Sequence, residues 1–305
     1  MTMNQKVAVG YVGCGVMGRV YMRAAEALPF VVSKGVTDLN REAAQKAADD
    51  FGIGSVYDDV EAMFSDPGID AVILALPAQA RAGLAIRAFQ AGKHVLIEKP
   101  AAMNAEEVRL MIEARGDRIA GCCSARLRCQ DSADQVRKVI ASGRLGEIRV
   151  IRSCWQTIAK AKGDAPPPLW RLSRSVNGGG NLANLGSYAL DYVLGMTGWE
   201  LEPDQVLART WNVPDRFRDH VAPGSDAETL TTALVTFKSG PVLMLDQGEF
   251  YVGAKQTAWQ ISGESGTLSF CILPTSQVIV LHEYRDGQIQ EEIVWEGVEN
   301  FAEMQ

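Results

Sequence analysis

The sequence predicts two domains of different class: a doubly wound parallel α/β domain over residues 1–122, then an α+β domain with a large, open, mostly antiparallel sheet over residues 123–305. Three observations carry this. Short β-branched runs alternate with helical stripes through the first 122 residues. One of them, "AVILALP", is continuously apolar, as in a strand covered on both faces. Beyond residue 123 the apolar residues of most runs fall at every second position, the pattern of a sheet with one wet face.

In order, "KVAVGYVG" is a strand ending in glycine, and Gly18, Tyr21, Met22 and Ala25 repeat at i, i+3, i+4, i+7 after it. "VVSKGVT" is the next strand; Ala44, Ala47, Ala48 and Phe51 mark a helix that Gly52 stops. "AVILALP" precedes a helix through Ala82, Ala85, Ile86 and Phe89, and "HVLIEKP" is the strand after it. Asn104 with Glu107 caps a further helix, and "RIAGCCS" closes the series. Strand and helix alternating at this cadence imply right-handed crossovers and a parallel sheet. In the second domain, helices over "SADQVRKVIASG" and "NLANLGSYALDYVLGMTG" accompany strands over "EIRVIRSCW", "ETLTTALVTF", "PVLMLDQGEF", "TAWQISG", "TLSFCI" and "SQVIVLHEY". "GDAPPPLW" and "DRFRDHVAPGSD" read as loops.

Hydrophobic content of 47% and charged content of 22% are those of a globular protein with a real core. A net charge of −7 argues against nucleic acid or an anionic membrane as a standing partner. No apolar run reaches the roughly 20 residues of a membrane span. The first residues lack a signal-peptide pattern, which points to the cytoplasm. Six cysteines without C-x-x-C spacing and only three histidines argue against a zinc site, so no metal is expected.

"GCGVMG" sets Gly13, Gly15 and Gly18 in G-x-G-x-x-G spacing between a strand and a helix, with Cys14, Val16 and Met17 between them. Gly13 suits the tight turn, Gly15 a close backbone approach to a pyrophosphate, and Gly18 close helix–strand packing. Asp38 ends the second strand twenty residues past Gly18, the spacing that ribose recognition requires. A carboxylate there accepts from a 2′-hydroxyl and repels a 2′-phosphate, so NAD is favoured, while Arg41 keeps NADP open. Leu76 and Pro77 end one strand and Glu98, Lys99 and Pro100 another, both where ligands bind in open α/β sheets. Lys99 could hydrogen-bond a substrate hydroxyl and stabilise an alkoxide.

"GGGNLANLGSYALD" then places Asn184, Tyr188 and Asp191 at intervals of four and three, on one face of a helix. A solvated face is the plain reading. The glycine loop, Asp38, "AGKHVLIEKP", "SGRLGEI", "LWR" and this segment, in this order, resemble the glucose–fructose oxidoreductase / inositol dehydrogenase / rhizopine-catabolism (Gfo/Idh/MocA) family over nearly the whole chain. The resemblance implies a Rossmann domain, a second domain whose open sheet often forms an oligomer interface, and NAD(P)-dependent oxidation or reduction of a sugar, cyclitol or related carbonyl compound. A dimer or tetramer is therefore expected, with a small molecule as substrate.

Family members usually carry an Asp and, four residues later, a His on the helix after the triple glycine; they serve proton transfer with the E-K-P lysine. Here Asn184 and Tyr188 stand at those positions. Tyrosine occurs at the second position among active members, whereas an amide orients a hydroxyl but carries no titratable proton. Arg81 and Ala78 replace the His and Asn common nearby. Arg126, Trp170 and Arg171 fall where the family lines its substrate pocket; arginines suit a hydroxyl-rich or anionic substrate and Trp170 a sugar face or the nicotinamide. The expected catalytic set is thus Lys99, Tyr188 and Asn184, with Arg126, Trp170 and Arg171 toward substrate. Reduction of a non-sugar carbonyl is a variant of this reading. The alternative of another class is a cofactor-binding sensor or regulator that has lost chemistry, motivated by Asn184. "NFAEMQ" falls where the resemblance implies the start of a further helix, and a truncated sequence, a disordered tail or a shortened homologue would each account for the early end.

Overall fold

The structure, a computed structural model, describes residues 6–159, 166–273 and 276–299. The helix expected at "NFAEMQ", the first five residues and the start of "GDAPPPLW" lie outside the described residues. The described chain divides into two compact units: residues up to Cys123 together with Val176–Gly178, and Ser124–Ser175 together with the chain from Gly179 onward.

The first unit is built from β1 Val7–Val12, α1 Val16–Glu26, β2 Val31–Thr37, α2 Arg41–Phe51, β3 Ser55–Val56, α3 Val60–Ser65, β4 Ala71–Leu74, α4 Ala78–Gln90, β5 His94–Ile97, α5 Ala105–Arg115 and β6 Ala120–Cys122. The six strands are parallel in the order β3-β2-β1-β4-β5-β6. The order reverses between β1 and β4, which opens a crevice at their carboxyl ends. Side chains alternate between two core layers. From β1, Val9 and Tyr11 join one layer with Met22 and Val36; Val12 joins the other with Val72 and Leu74. This is the doubly wound sheet expected from the alternation of strands and helices. Asn40, Asp59 and Asn104 each cap a helix with the side chain, accepting from the backbone N–H three residues on.

The second unit holds α6 Asp131–Ala141, β7 Ile148–Ile158, a short turn of helix α7 Arg174–Asn177 that straddles the unit boundary, α8 Ser187–Met196, β8 Pro203–Trp211, β9 Leu230–Phe237, β10 Val242–Tyr251, β11 Gln256–Gly263, β12 Gly266–Phe270, β13 Ser276–Arg285 and β14 Gln288–Val298. Its eight strands run in the order β14-β13-β12-β11-β7-β10-β9-β8, antiparallel except for the β7–β10 pair. Helices α6 and α8 cover one face, packing Val136, Ala189 and Tyr192 onto Ile151, Leu243 and Ile261. Trp155 meets Trp259 edge-on at 6.1 Å in the same layer, an arrangement worth about 1 kcal/mol beyond the area it buries. Two strands of this unit were not read from the sequence, nor was the two-residue β3 of the first. β8 is exposed along its whole length and β14 along most of it, so neither shows a one-sided apolar pattern.

The helix expected over residues 181–198 is not continuous. Leu182–Gly186 forms a π-turn, and regular α-helix begins only at Ser187. A side chain at Gly186 would begin 2.5 Å from Leu182 Cδ1, so the leucine tip packs where a larger residue would have to displace it.

Candidate active site

In the first unit, the residues singled out for a dinucleotide gather at the carboxyl ends of β1, β2, β4 and β5. The loop after β1 turns at Gly13, whose φ of +96° is open to glycine, and a side chain there would meet Ala75 O at 2.3 Å. Gly18 lets α1 lie against the loop, since its Cβ would fall 2.0 Å from Gly13 O. Nothing lies within 4 Å of where a Gly15 side chain would be. Gly15 also starts α1 with no side-chain cap and no acid in the first turn, so the N–H groups of Val16, Met17 and Gly18 and the positive end of the helix dipole are left for an anion.

Asp38 is tied into the same loop. Its Oδ2 accepts from the Cys14 N–H at 2.7 Å and its Oδ1 from the Asn40 N–H at 2.8 Å. Each carboxylate oxygen keeps a further lone pair for a ribose hydroxyl. An open cradle, a bare helix end and an acid held at its rim fit a dinucleotide. Cys14 itself is buried, and burial together with the Asp38 charge pushes its thiol up to about 12.

The turns after β4 and β5 are stapled together. Arg81, 5% exposed, donates from Nε to Leu76 O at 2.7 Å and from Nη1 to Pro100 O. Burial pulls its pKa down, with Glu98 opposing. Pro77 sits at the start of α4, and Ala78 is fully buried behind it. Glu98, also buried, accepts from the Tyr21 hydroxyl of α1 at Oε1 and from the Lys99 N–H at 2.9 Å at Oε2. The Lys99–Pro100 bond is cis. Helix α1, the glycine loop and the E-K-P turn are thus one hydrogen-bonded assembly. Tyr21 had read as a core residue of the helical stripe, and its hydroxyl role leaves no local mark in the sequence.

In the second unit, Tyr188 opens the first turn of α8 and Asn184 lies in the π-turn before it. Arg126, buried in the 3₁₀ segment Cys123–Cys129, places its guanidinium carbon 5.6 Å from the Tyr188 ring centroid. Asp191, the third member of the face, is taken up by the same segment, where Ser124 Oγ donates to it at 3.0 Å and Arg128 pairs with it. It anchors α8 and takes a structural part. Trp170 and Arg171 lie in a 3₁₀ turn, Leu169–Leu172; Trp170 is half-exposed and Arg171 pairs with Glu249 of β10.

The triple glycine is explained by a residue that sequence reading missed. Glu228 is buried, and its Oε1 accepts from the N–H groups of Gly180 at 2.8 Å and Leu182 at 3.2 Å. Its carbonyl accepts from Asn181 N, and a side chain at Gly180 would begin 1.8 Å from that oxygen. A carboxylate therefore caps the helix that carries Asn184 and Tyr188. Forty-eight residues separate the partners, so no local spacing signals it. Among the described residues no group of three His, Cys, Asp or Glu could hold a metal, and no helix is long and apolar enough to cross a membrane.

Residues 7–118 match the oxidoreductase family with NAD-binding Rossmann fold, and residues 133–269 match the GFO/IDH/MocA C-terminal domain. A levoglucosan dehydrogenase of Pseudarthrobacter phenanthrenivorans is 30% identical over 221 residues, 70% of this chain and 56% of that protein. A myo-inositol 2-dehydrogenase of Thermotoga maritima is 23% identical over 280 residues, covering 91% and 79%. A levoglucosan dehydrogenase solved with NADH and levoglucosan superposes with a TM-score of 0.80 at 25% identity, over 95% of this chain and 80% of that one. With both of its units matched, the chain belongs to the GFO/IDH/MocA family of NAD-binding oxidoreductases.

Proposed function

We propose that the protein is an NAD-dependent dehydrogenase or reductase that moves a hydride between nicotinamide and a hydroxyl or carbonyl carbon of a sugar, a cyclitol or a related small molecule. The observation that carries this is the fit of the glycine loop, the bare N-terminus of α1 and Asp38 to a dinucleotide, on a strand edge that also ends in Lys99. Relatives named for levoglucosan and myo-inositol support the substrate class.

When bound, the nicotinamide supplies or accepts the hydride; the proton falls to the chain. Lys99 contributes an ammonium group that hydrogen-bonds the reacting hydroxyl and stabilises alkoxide charge. Tyr188 takes or returns the proton. A free phenol titrates near 10, and within its own unit Arg126 sets a positive charge beside the Tyr188 ring. Asn184 orients the hydroxyl as donor and acceptor. Trp170 offers a face for the sugar ring and Arg171 a forked donor. In this reading the protein works in the cytoplasm as a dimer or tetramer joined through the open sheet.

The test is turnover of a panel of sugars and polyols, followed at the NADH absorbance, in the wild type, Lys99→Ala and Tyr188→Phe. Each substitution is expected to lower turnover by about 10²–10⁴-fold while NADH still binds. Undiminished turnover in both variants would overturn the roles. Asn184, standing where the family has an acid, favours a second reading as a nicotinamide-binding regulator without chemistry. It predicts tight NADH binding and no consumption across the panel, and one productive substrate ends it.

A further inference from the structure

Strands β8, β9 and β10 end around a cavity of about 350 Å³, within the range of roughly 300–1,000 Å³ common for small-molecule sites. Aromatic side chains line it from two strands: Trp211, Phe250 and Tyr251. Phe250 has φ of 61°, a costly conformation for an aromatic residue and one that recurs at ligand clamps, and its ring stacks on Phe217 at 5.8 Å. Polar groups share the wall. Thr229, just before β9, and Glu249 of β10 are joined by Glu249 N–H to Thr229 O at 2.9 Å. Thr229 is 1% exposed, and both its Oγ1 and Glu249 Oε1 are buried without a hydrogen-bond partner among the described residues. Such groups are costly unless something bonds them.

We propose that this cavity is a subsite for a second pyranose ring, so that the substrate of the site proposed above is a glycoside. A pyranose has apolar C–H faces for aromatic rings and a rim of hydroxyls that donate to a carboxylate and bond a threonine hydroxyl. A wholly apolar group would leave Thr229 and Glu249 unpaired, whereas hydroxyls can bond both and can also accept from Arg216, which lines the same wall. The cavity adjoins the substrate residues of its unit. Glu249 holds Arg171, next to Trp170. Two residues back along β10, Gln247 Cγ lies 3.7 Å from where a Gly186 side chain would begin, under the π-turn that carries Asn184.

The inference rests on the oxidoreductase reading for the first ring, and calorimetry separates the two. The NADH-saturated protein is titrated with cellobiose, maltose, trehalose and lactose, and with the methyl α- and β-D-glucosides and galactosides. At least one disaccharide is expected to bind about tenfold more tightly than its methyl glycoside. Trp211→Ala and the near-isosteric Thr229→Val should each bring that ratio to within about twofold, leaving methyl glycoside binding unchanged. No disaccharide advantage, or an advantage that survives both substitutions, overturns the subsite. A disaccharide advantage with no NADH formed from NAD by any sugar removes the oxidoreductase and leaves the subsite. NADH formed from monosaccharides without a disaccharide advantage does the reverse.

Discussion

The Cys14 N–H donates to the Asp38 carboxylate at 2.7 Å, so the acid at the end of β2 is a structural part of the glycine loop as well as its electrostatic rim. The same carboxylate takes the Asn40 N–H at the start of α2. Asp38→Ala removes both bonds together with the proposed ribose acceptor. NADH affinity is expected to fall about tenfold or more, with a lower midpoint of thermal unfolding. Asp38→Asn keeps an acceptor but drops the charge, and should narrow the preference for NADH over NADPH. Fluorescence titration with both nucleotides checks this; wild-type NADH affinity in Asp38→Ala would remove Asp38 from the ribose site.

Glu228 and the triple glycine form one device. The carboxylate caps two N–H groups at the start of the helix, where negative charge is favoured by the dipole, and Gly180 makes room for the Glu228 backbone. Glu228→Ala leaves those N–H groups buried and unpaired and should cost about 2 kcal/mol. Gly180→Ala drives a methyl group into a backbone oxygen and should cost at least as much. Because the π-turn carrying Asn184 moves with its cap, sugar turnover should fall further than the loss of folded protein explains. Urea unfolding beside turnover at a temperature where each variant is folded separates the effects.

The thiols are expected to differ in reactivity for a physical reason. Burial and the Asp38 charge raise Cys14 to about 12, so at pH 8 roughly one molecule in ten thousand carries the thiolate there. The neutral thiol, 3.8 Å from Thr37 O, persists through the physiological range. Cys129 is exposed. Iodoacetamide at pH 8 should label Cys129 and spare Cys14, and Cys14 labelling should rise about tenfold per pH unit for as long as the fold holds. Peptide mass mapping checks the order; rapid Cys14 labelling at pH 8 contradicts the burial argument.

What was legible in the sequence is what is local. The strand–glycine–helix unit, the acid twenty residues on and the E-K-P strand end all declare themselves within short windows, because a turn or a parallel strand imposes its composition on adjacent residues. The π-turn was not legible: Leu182–Gly186 has the composition of ordinary helix, and its local sequence carries no mark of the wider turn. Glu228 was missed because its partners are distant in sequence. Strand β8 was missed because a strand wet on both faces has no alternation to read. Arg81 was noticed as a departure from the family, but that its guanidinium staples the turns after β4 and β5 follows only from the fold. Asp191 shares a face with Tyr188 as the spacing implies, yet Ser124 and Arg128 occupy its carboxylate.

The outer face of the eight-stranded sheet carries the last prediction. Leu207 of β8 pairs with Leu234 of β9, which pairs with Met244 of β10, so the three form a row across neighbouring strands. They are 76%, 40% and 47% exposed, on the face opposite Leu243 and Leu245, which are buried in the core. A contiguous exposed apolar row is the kind of surface that association covers. Sedimentation velocity at micromolar concentration should therefore find a dimer or tetramer. Leu234→Glu with Met244→Glu places like charges on both partners of a two-fold contact and should yield monomer with an unchanged far-ultraviolet circular dichroism spectrum. A monomeric wild type, or an assembly untouched by the double substitution, would mean that this row is a solvated face and that any oligomer forms through another surface.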